Sequence, residues 1–188
     1  MMVSNLVGEG IKGERYTATV PDTVDLVDRA ALAINGLGRA RDPERGYQQY
    51  FYILLNATPP YMLHSGPPDA NCDAMVGESL PLMRLVTGND EHLDAERGLN
   101  TTLTDRLSPE DGLYWRRYSS DEPWHSFGYP GHETTEDYSD AGGDQVLLRT
   151  LMTWRELDGD DRWDGRIRAL IDGLDRIAVH TPRYAYFP

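Results

Sequence analysis

The sequence predicts an all-α fold of αα-hairpin repeats, and three observations carry that prediction. The segment from Asp69 to Trp115 recurs without a gap 71 positions later, from Asp140 to Tyr186. Asp69, Ala70 and Asp73 fall on Asp140, Ala141 and Asp144, Gly88 on Gly159, and Leu99 and Leu103 on Leu170 and Leu174. Self-similarity at a long fixed period marks a repeat architecture. Within each copy the apolar residues return at helical spacing: Val76, Leu80, Met83 and Val86, then Ala95, Leu99, Leu103 and Leu107 in the first, and Leu147, Leu151, Trp154 and Leu157, then Trp163, Ile167, Leu170, Leu174 and Ile177 in the second. Such stripes are faces of amphipathic helices. Finally, Gly88 with Asn89-Asp90, and Asp158-Gly159-Asp160-Asp161, punctuate the stripes as a helix end followed by a helix start. Two helices joined by so short a turn make an αα-hairpin.

Taken in order, residues 1–20 are polar and weakly patterned and are expected to form an arm, and residues 21–188 one domain. Asp22 or Thr23 is expected to cap a first helix, with Leu26, Ala30, Ala33 and Leu37 on one face and Gly36 and Gly38 ending it. Tyr47 to Leu55 fits a short buried helix or a strand, Pro59-Pro60 stops it, and Tyr61 to His64 reads as extended chain. The first repeat helix is expected from about Asn71 to Thr87, kinked or restarted at Pro81. Residues 108–139, rich in Trp, Tyr, Gly and Pro, form a long inter-hairpin loop with a short strand within Leu113–Arg117. A loop of that length in a compact domain is usually functional.

The formal net charge of −13 argues against nucleic acid and anionic membranes as partners and leaves a neutral ligand such as a carbohydrate open. Cys72 is the sole cysteine, which excludes a disulfide framework and a multi-cysteine zinc site. Met1 to Lys12 lacks a basic region followed by an apolar core, which points to the cytoplasm, and no apolar run reaches the length of a membrane span. No cofactor and no metal is expected: Asp158-Gly159-Asp160-Asp161 opens like a calcium loop but has Arg162 at the next ligand position and lacks the closing Glu.

Thr23 to Gly38, Leu80 to Gly88 and Asp111-Gly112-Leu113-Tyr114-Trp115 together resemble six-hairpin glycosidase-like proteins, within the α/α-toroid group that includes bacterial β-L-arabinofuranosidase-type enzymes. The resemblance implies rings of inner and outer helices around a carbohydrate-binding funnel. The arabinofuranosidase type holds zinc with several cysteines, which Cys72 alone cannot supply. A closed toroid needs about six hairpins and this repeat length accommodates roughly three, so the expectation is a partial toroid. The apolar stretch Tyr184 to Phe187 points the same way, to self-association or a missing C-terminal half.

Glycoside hydrolysis uses a carboxylic acid to protonate the leaving oxygen and a second carboxylate as base or nucleophile. Asp137 and Asp140 are the candidates for acid/base work, with Asp69 as partner, because the repeat brings Asp69 and Asp140 to equivalent helix starts. The same residues have a purely structural role open to them, since Asp caps helices and complements their dipoles. Glu133, Glu136 and Tyr138 cluster before Asp140, and apolar walls beside acids raise a carboxyl pKa. His64, Trp115, Trp124, His125, His132 and Tyr138 are the candidate sugar-binding residues, with core packing the alternative for Trp115 and Trp124. Two other functions fit the same residues. A polysaccharide lyase would use Tyr129, Tyr138 and His132 as base and acid, and a non-catalytic helical-repeat module would bind a partner on its concave face.

Overall fold

The structure, a computed structural model, describes residues 25–64, 66–117 and 137–187. Its helices are α1 (Leu26–Arg39), α2 (Ala70–Thr87), α3 (Leu93–Asp105), α4 (Ala141–Asp158) and α5 (Arg162–Ile177). Four antiparallel two-stranded sheets join them: β1 (Arg41–Asp42) with β2 (Gln48–Gln49), β3 (Tyr52–Leu54) with β4 (Tyr61–Leu63), β5 (Trp115–Arg116) with β6 (Tyr138–Ser139), and β7 (Val179–His180) with β8 (Ala185–Tyr186). The expected all-α partial toroid is thereby corrected: among the described residues the fold is mixed, 57% helical and 14% strand, with five helices and small hairpin sheets. The physical reason lies in the connections. Their peptide groups need partners where they fold over helix ends, and pairing two short strands supplies them. The expected 1–20 arm lies outside the described residues.

The repeat is visible in three dimensions. Helices α2 and α4 each span 18 residues, are capped by Asp69 and Asp140, and end at Gly88 and Gly159 with φ of 65° and 67°. Each cap carboxylate accepts the N–H two residues on, Asn71 at 2.8 Å and Gly142 at 3.0 Å. The two helices pack along their length, and their contacts advance in the same direction along both. Thr150 Oγ1 donates to Ala74 O at 2.9 Å and Trp154 Nε1 to Gly77 O at 2.8 Å. They are therefore parallel, and both N-termini emerge at one end of the molecule. Gly143 permits this approach: a Cβ there would lie 3.2 Å from Ala70 Cβ and 3.4 Å from Asn71 N.

Helix α2 continues through Pro81 without the restart that was one expectation there. Proline lacks an N–H, so the carbonyl four residues back, Gly77 O, has no helical donor. Trp154 Nε1–H fills that place from the neighbouring helix. Gly77 makes room for the indole, since a Cβ would lie 3.0 Å from Trp154 Cζ2.

Other local readings shift by a few residues. Asp25 caps α1, accepting the N–H groups of Val27 and Asp28, and the helix runs through Gly36 and Gly38 to Arg39. Gly38 is required by packing, because a Cβ there would fall 2.3 Å from His92 Cγ. Helix α3 starts after His92 with no side-chain cap, while Asn89 instead accepts the Glu91 N–H in the turn. Tyr47 to Leu55 resolves into β2 and β3.

Ile34, Leu80, Leu99, Leu103, Leu147, Leu151 and Leu170 are fully enclosed and form the core with Tyr114, Trp154 and Trp163. Every one of the four repeat-related leucines, Leu99, Leu103, Leu170 and Leu174, lies in it. Among the described residues no helix is long and apolar enough to cross a membrane.

Candidate functional site

The parallel N-termini of α2 and α4 form a rim, and the β5–β6 pair lies beside it. Arg116 is opposite Tyr138 in that pair, and its guanidinium lies 5.2 Å from the Tyr138 ring centroid. The same guanidinium stands 3.8 Å from Asp69 Oδ2. Arg117 pairs with Asp137 at 3.0 Å and lies 5.4 Å from the Trp115 ring. Strand pairing and one ion pair thus gather Asp69, Asp137, Tyr138 and Asp140 at one end. Trp115 packs against the core from the same strand, its Nε1–H shared between the two Asp111 oxygens at 3.0 and 3.2 Å. Trp124, His125 and His132 lie outside the described residues, as do Tyr129, Glu133 and Glu136.

His64 is held by β1 and β2. Its Nε2 is 2.8 Å from Asp42 Oδ2, its Nδ1 is 3.0 Å from Gln49 O, and Tyr50 stacks on it at 4.5 Å. Both ring nitrogens face acceptors, so the ring latches β1 to the chain after β4. For Asp42, burial pushes the carboxyl up, but hydrogen bonds from His64, Tyr50 and the Glu44 N–H outweigh it and hold the group below its ordinary value. A depressed folded-state pKa contributes stability above the unfolded value, and that contribution is lost as the pH falls through the folded value. Asp42→Asn is therefore expected to melt lower than the parent above about pH 5, with the gap closing toward about pH 2–3. Thermal melts of both proteins across that range check it, and a constant gap would mean that the carboxylate charge is not what matters.

Beneath the rim lie the second aspartates of the repeat, Asp73 and Asp144, both 0% exposed. Asp73 accepts the Asp69 N–H at 3.1 Å and forms a buried ion pair with Arg41. Asp144 accepts the Tyr114 N–H at 2.9 Å and the Ser139 hydroxyl at 2.7 Å. Burial pushes both carboxyls up. Arg41 opposes this at Asp73, and the Ser139 and Tyr114 hydrogen bonds oppose it at Asp144. Tyr114 closes the floor, its hydroxyl donating to Pro68 O at 2.9 Å. Burial, then the charges of Asp69 and Asp73, push the Cys72 thiol up, which keeps it protonated and a poor nucleophile.

Arg41, Arg116 and Ser139 are site residues that sequence reasoning missed. Nothing in the sequence around Arg41 points to a carboxylate 32 positions away. Arg116 carried a usable signal: it falls in the short strand expected within Leu113–Arg117, beside Trp115. Two polar atoms at the rim, Asn71 Oδ1 and Arg116 Nε, are enclosed and have no hydrogen-bond partner among the described residues. No family model, curated protein or solved structure matches this chain.

Proposed function

We propose that this chain is a carbohydrate-active protein that handles its ligand at the rim of α2 and α4, with glycoside hydrolysis by carboxylates as its reaction. The observation that carries the reading is that Asp69, beside Arg116 and the Tyr138 ring that Arg116 covers, shares one end of the molecule with Asp137 and Asp140. Carboxylates and guanidinium groups hydrogen-bond sugar hydroxyls, and an aromatic face covers the apolar side of a sugar ring. The unpartnered Asn71 Oδ1 and Arg116 Nε supply a further acceptor and donor. Asp140 spends Oδ1 on the Gly142 N–H, and Oδ2 makes no hydrogen bond among the described residues, which suits it to proton transfer. Asp69, 3.8 Å from the Arg116 guanidinium, is the partner carboxylate. Asp137 is the alternative acid/base group on the same edge.

One observation favours a second reading, a non-catalytic binding module. Asp69 has one oxygen on the Asn71 N–H and the other near Arg116, and Asp137 is tied to Arg117. Asp140→Asn separates the two. Asn caps a helix about as well as Asp, so the variant is expected to keep its stability within about 0.5 kcal/mol. A hydrolase loses turnover in that variant. Assays on a panel of aryl glycosides and oligosaccharides, run beside denaturant melts, check both. Full turnover by Asp140→Asn would sink the acid/base assignment, and sugar binding without any cleavage by the parent protein would establish the binding module.

A further inference from the structure

We infer that the saccharide bound here is acidic, its anionic group held by arginines in the cleft that opens beside Asp69; this rests on the carbohydrate reading of the rim. The cleft encloses about 620 Å³ between the turn after β1 and the end of α3. That is the size of a small-molecule site. It is continuous with the rim, because Pro68, which precedes Asp69, and Arg117, which follows Arg116, both line it.

Arg45, Arg106 and Arg117 line the cleft against Glu44 and Asp105. Three guanidinium groups gather there beside two carboxylates, in a chain whose net charge is −13. Arg117 is engaged with Asp137. The Arg106 side chain makes no ion pair or hydrogen bond among the described residues, so it is the cation left for a ligand. A guanidinium presents a planar fork of donors that matches a carboxylate or phosphate. Gln48 also lines the cleft and is 1% exposed. Its amide nitrogen donates to Gly66 O, and its amide oxygen has no donor among the described residues. An enclosed acceptor without a donor is an unmet hydrogen bond, and a sugar hydroxyl is the group that meets it.

The wall carrying Glu44 and Arg45 is set before a ligand arrives. Gly46 and Tyr47 both adopt left-handed backbone, with φ of 63° and 60°, a conformation that a bulky aromatic residue rarely takes. Tyr47 is held there by its hydroxyl on Asp94 at 3.0 Å and its N–H on Asp42 O at 2.8 Å. Its ring lies where Gly98 has no side chain, since a Cβ there would be 2.1 Å from Tyr47 Cδ2. Thr102 Oγ1 ties Gly46 O to α3 at 2.8 Å. Such pre-organisation reduces what binding must spend on ordering the site.

Calorimetric titration of the full chain tests the inference, with trigalacturonate and glucose 6-phosphate set against neutral sugars of matching size, and inorganic phosphate as the non-sugar anion. One or both acidic sugars are expected to bind at least tenfold more tightly than their neutral counterparts. Comparing the two distinguishes a carboxylate from a phosphate as the anionic group. Arg106→Ala is expected to abolish the preference, Arg106→Lys to retain part of it, and added salt to weaken it. Should Arg106→Ala fold poorly, the Lys variant and the salt dependence carry the test. Equal binding of neutral and acidic sugars, unchanged by either substitution, would overturn the acidic ligand and leave the carbohydrate reading standing. Inorganic phosphate binding as tightly as the acidic sugars, or no binding of any sugar, would overturn the carbohydrate reading itself.

Discussion

Replacing Asp73 with Ala is expected to cost about 3–5 kcal/mol of folding stability, because it strands a buried cation. The Arg41 and Asp73 side chains are 1% and 0% exposed. Among the described residues Arg41 has only weak further acceptors, Tyr47 O at 3.4 Å and Gln49 Oε1 at 3.3 Å, and its Nε has none. An arginine does not escape by losing its proton. Urea unfolding of the Ala variant measures the loss directly. A double variant, Arg41→Met with Asp73→Leu, is expected to recover most of it, since apolar residues often replace a buried ion pair at little cost. If the single variant costs less than about 1 kcal/mol, the pair is not closed off from water. The substitution also bears on the rim, because Asp73 accepts the N–H of Asp69 and so fixes the start of α2.

Trp154→Ala is expected to cost about 3–5 kcal/mol, the range for deleting a large buried aromatic side chain. Part of that cost is specific. Trp154→Phe keeps most of the packing but leaves Gly77 O without a donor, which adds about 1–3 kcal/mol. Pro81 makes this testable. Pro81→Ala restores the helical N–H that bonds Gly77 O, so the penalty of Trp154→Phe should shrink in that background. A double-mutant cycle in denaturant reads the coupling. Strict additivity would show that the indole N–H does not substitute for the missing helix bond.

Local pattern was legible in this chain. The helical stripes, the Asp caps at 69 and 140 and the Gly ends at 88 and 159 depend on neighbours within one turn, and the repeat marks them twice. Few of the strands were legible: β5 was expected within Leu113–Arg117 and β4 as extended chain, and the others were not read outright. Most are two residues long, and so short a segment shows no alternation for a pattern to reveal. Pro81 misled for a related reason: its penalty is a local property, and the group that offsets it arrives from residue 154 on a neighbouring helix.

The candidate site divides along the same line. Asp137, Tyr138 and Asp140 stand together in sequence, and their shared place at one rim follows from that adjacency. Asp69 joins them only because α2 and α4 pack in parallel and Arg116 reaches across from β5. His64 is near Asp69 in sequence, but its hydrogen bond to Asp42, 22 positions back, is set by the fold. The repeat shows Asp73 and Asp144 to be equivalent, but one meets Arg41 and the other Ser139 and Tyr114, because their partners come from connections outside the repeated helices. By itself the sequence determined which segments form helices and, for α2 and α4, where they start and stop, since such preferences act over a few ångströms of contiguous chain. Which carboxylates are buried, which are paired and which stay open to a ligand was decided only by tertiary structure, because a charge is stabilised by whatever surrounds it in space.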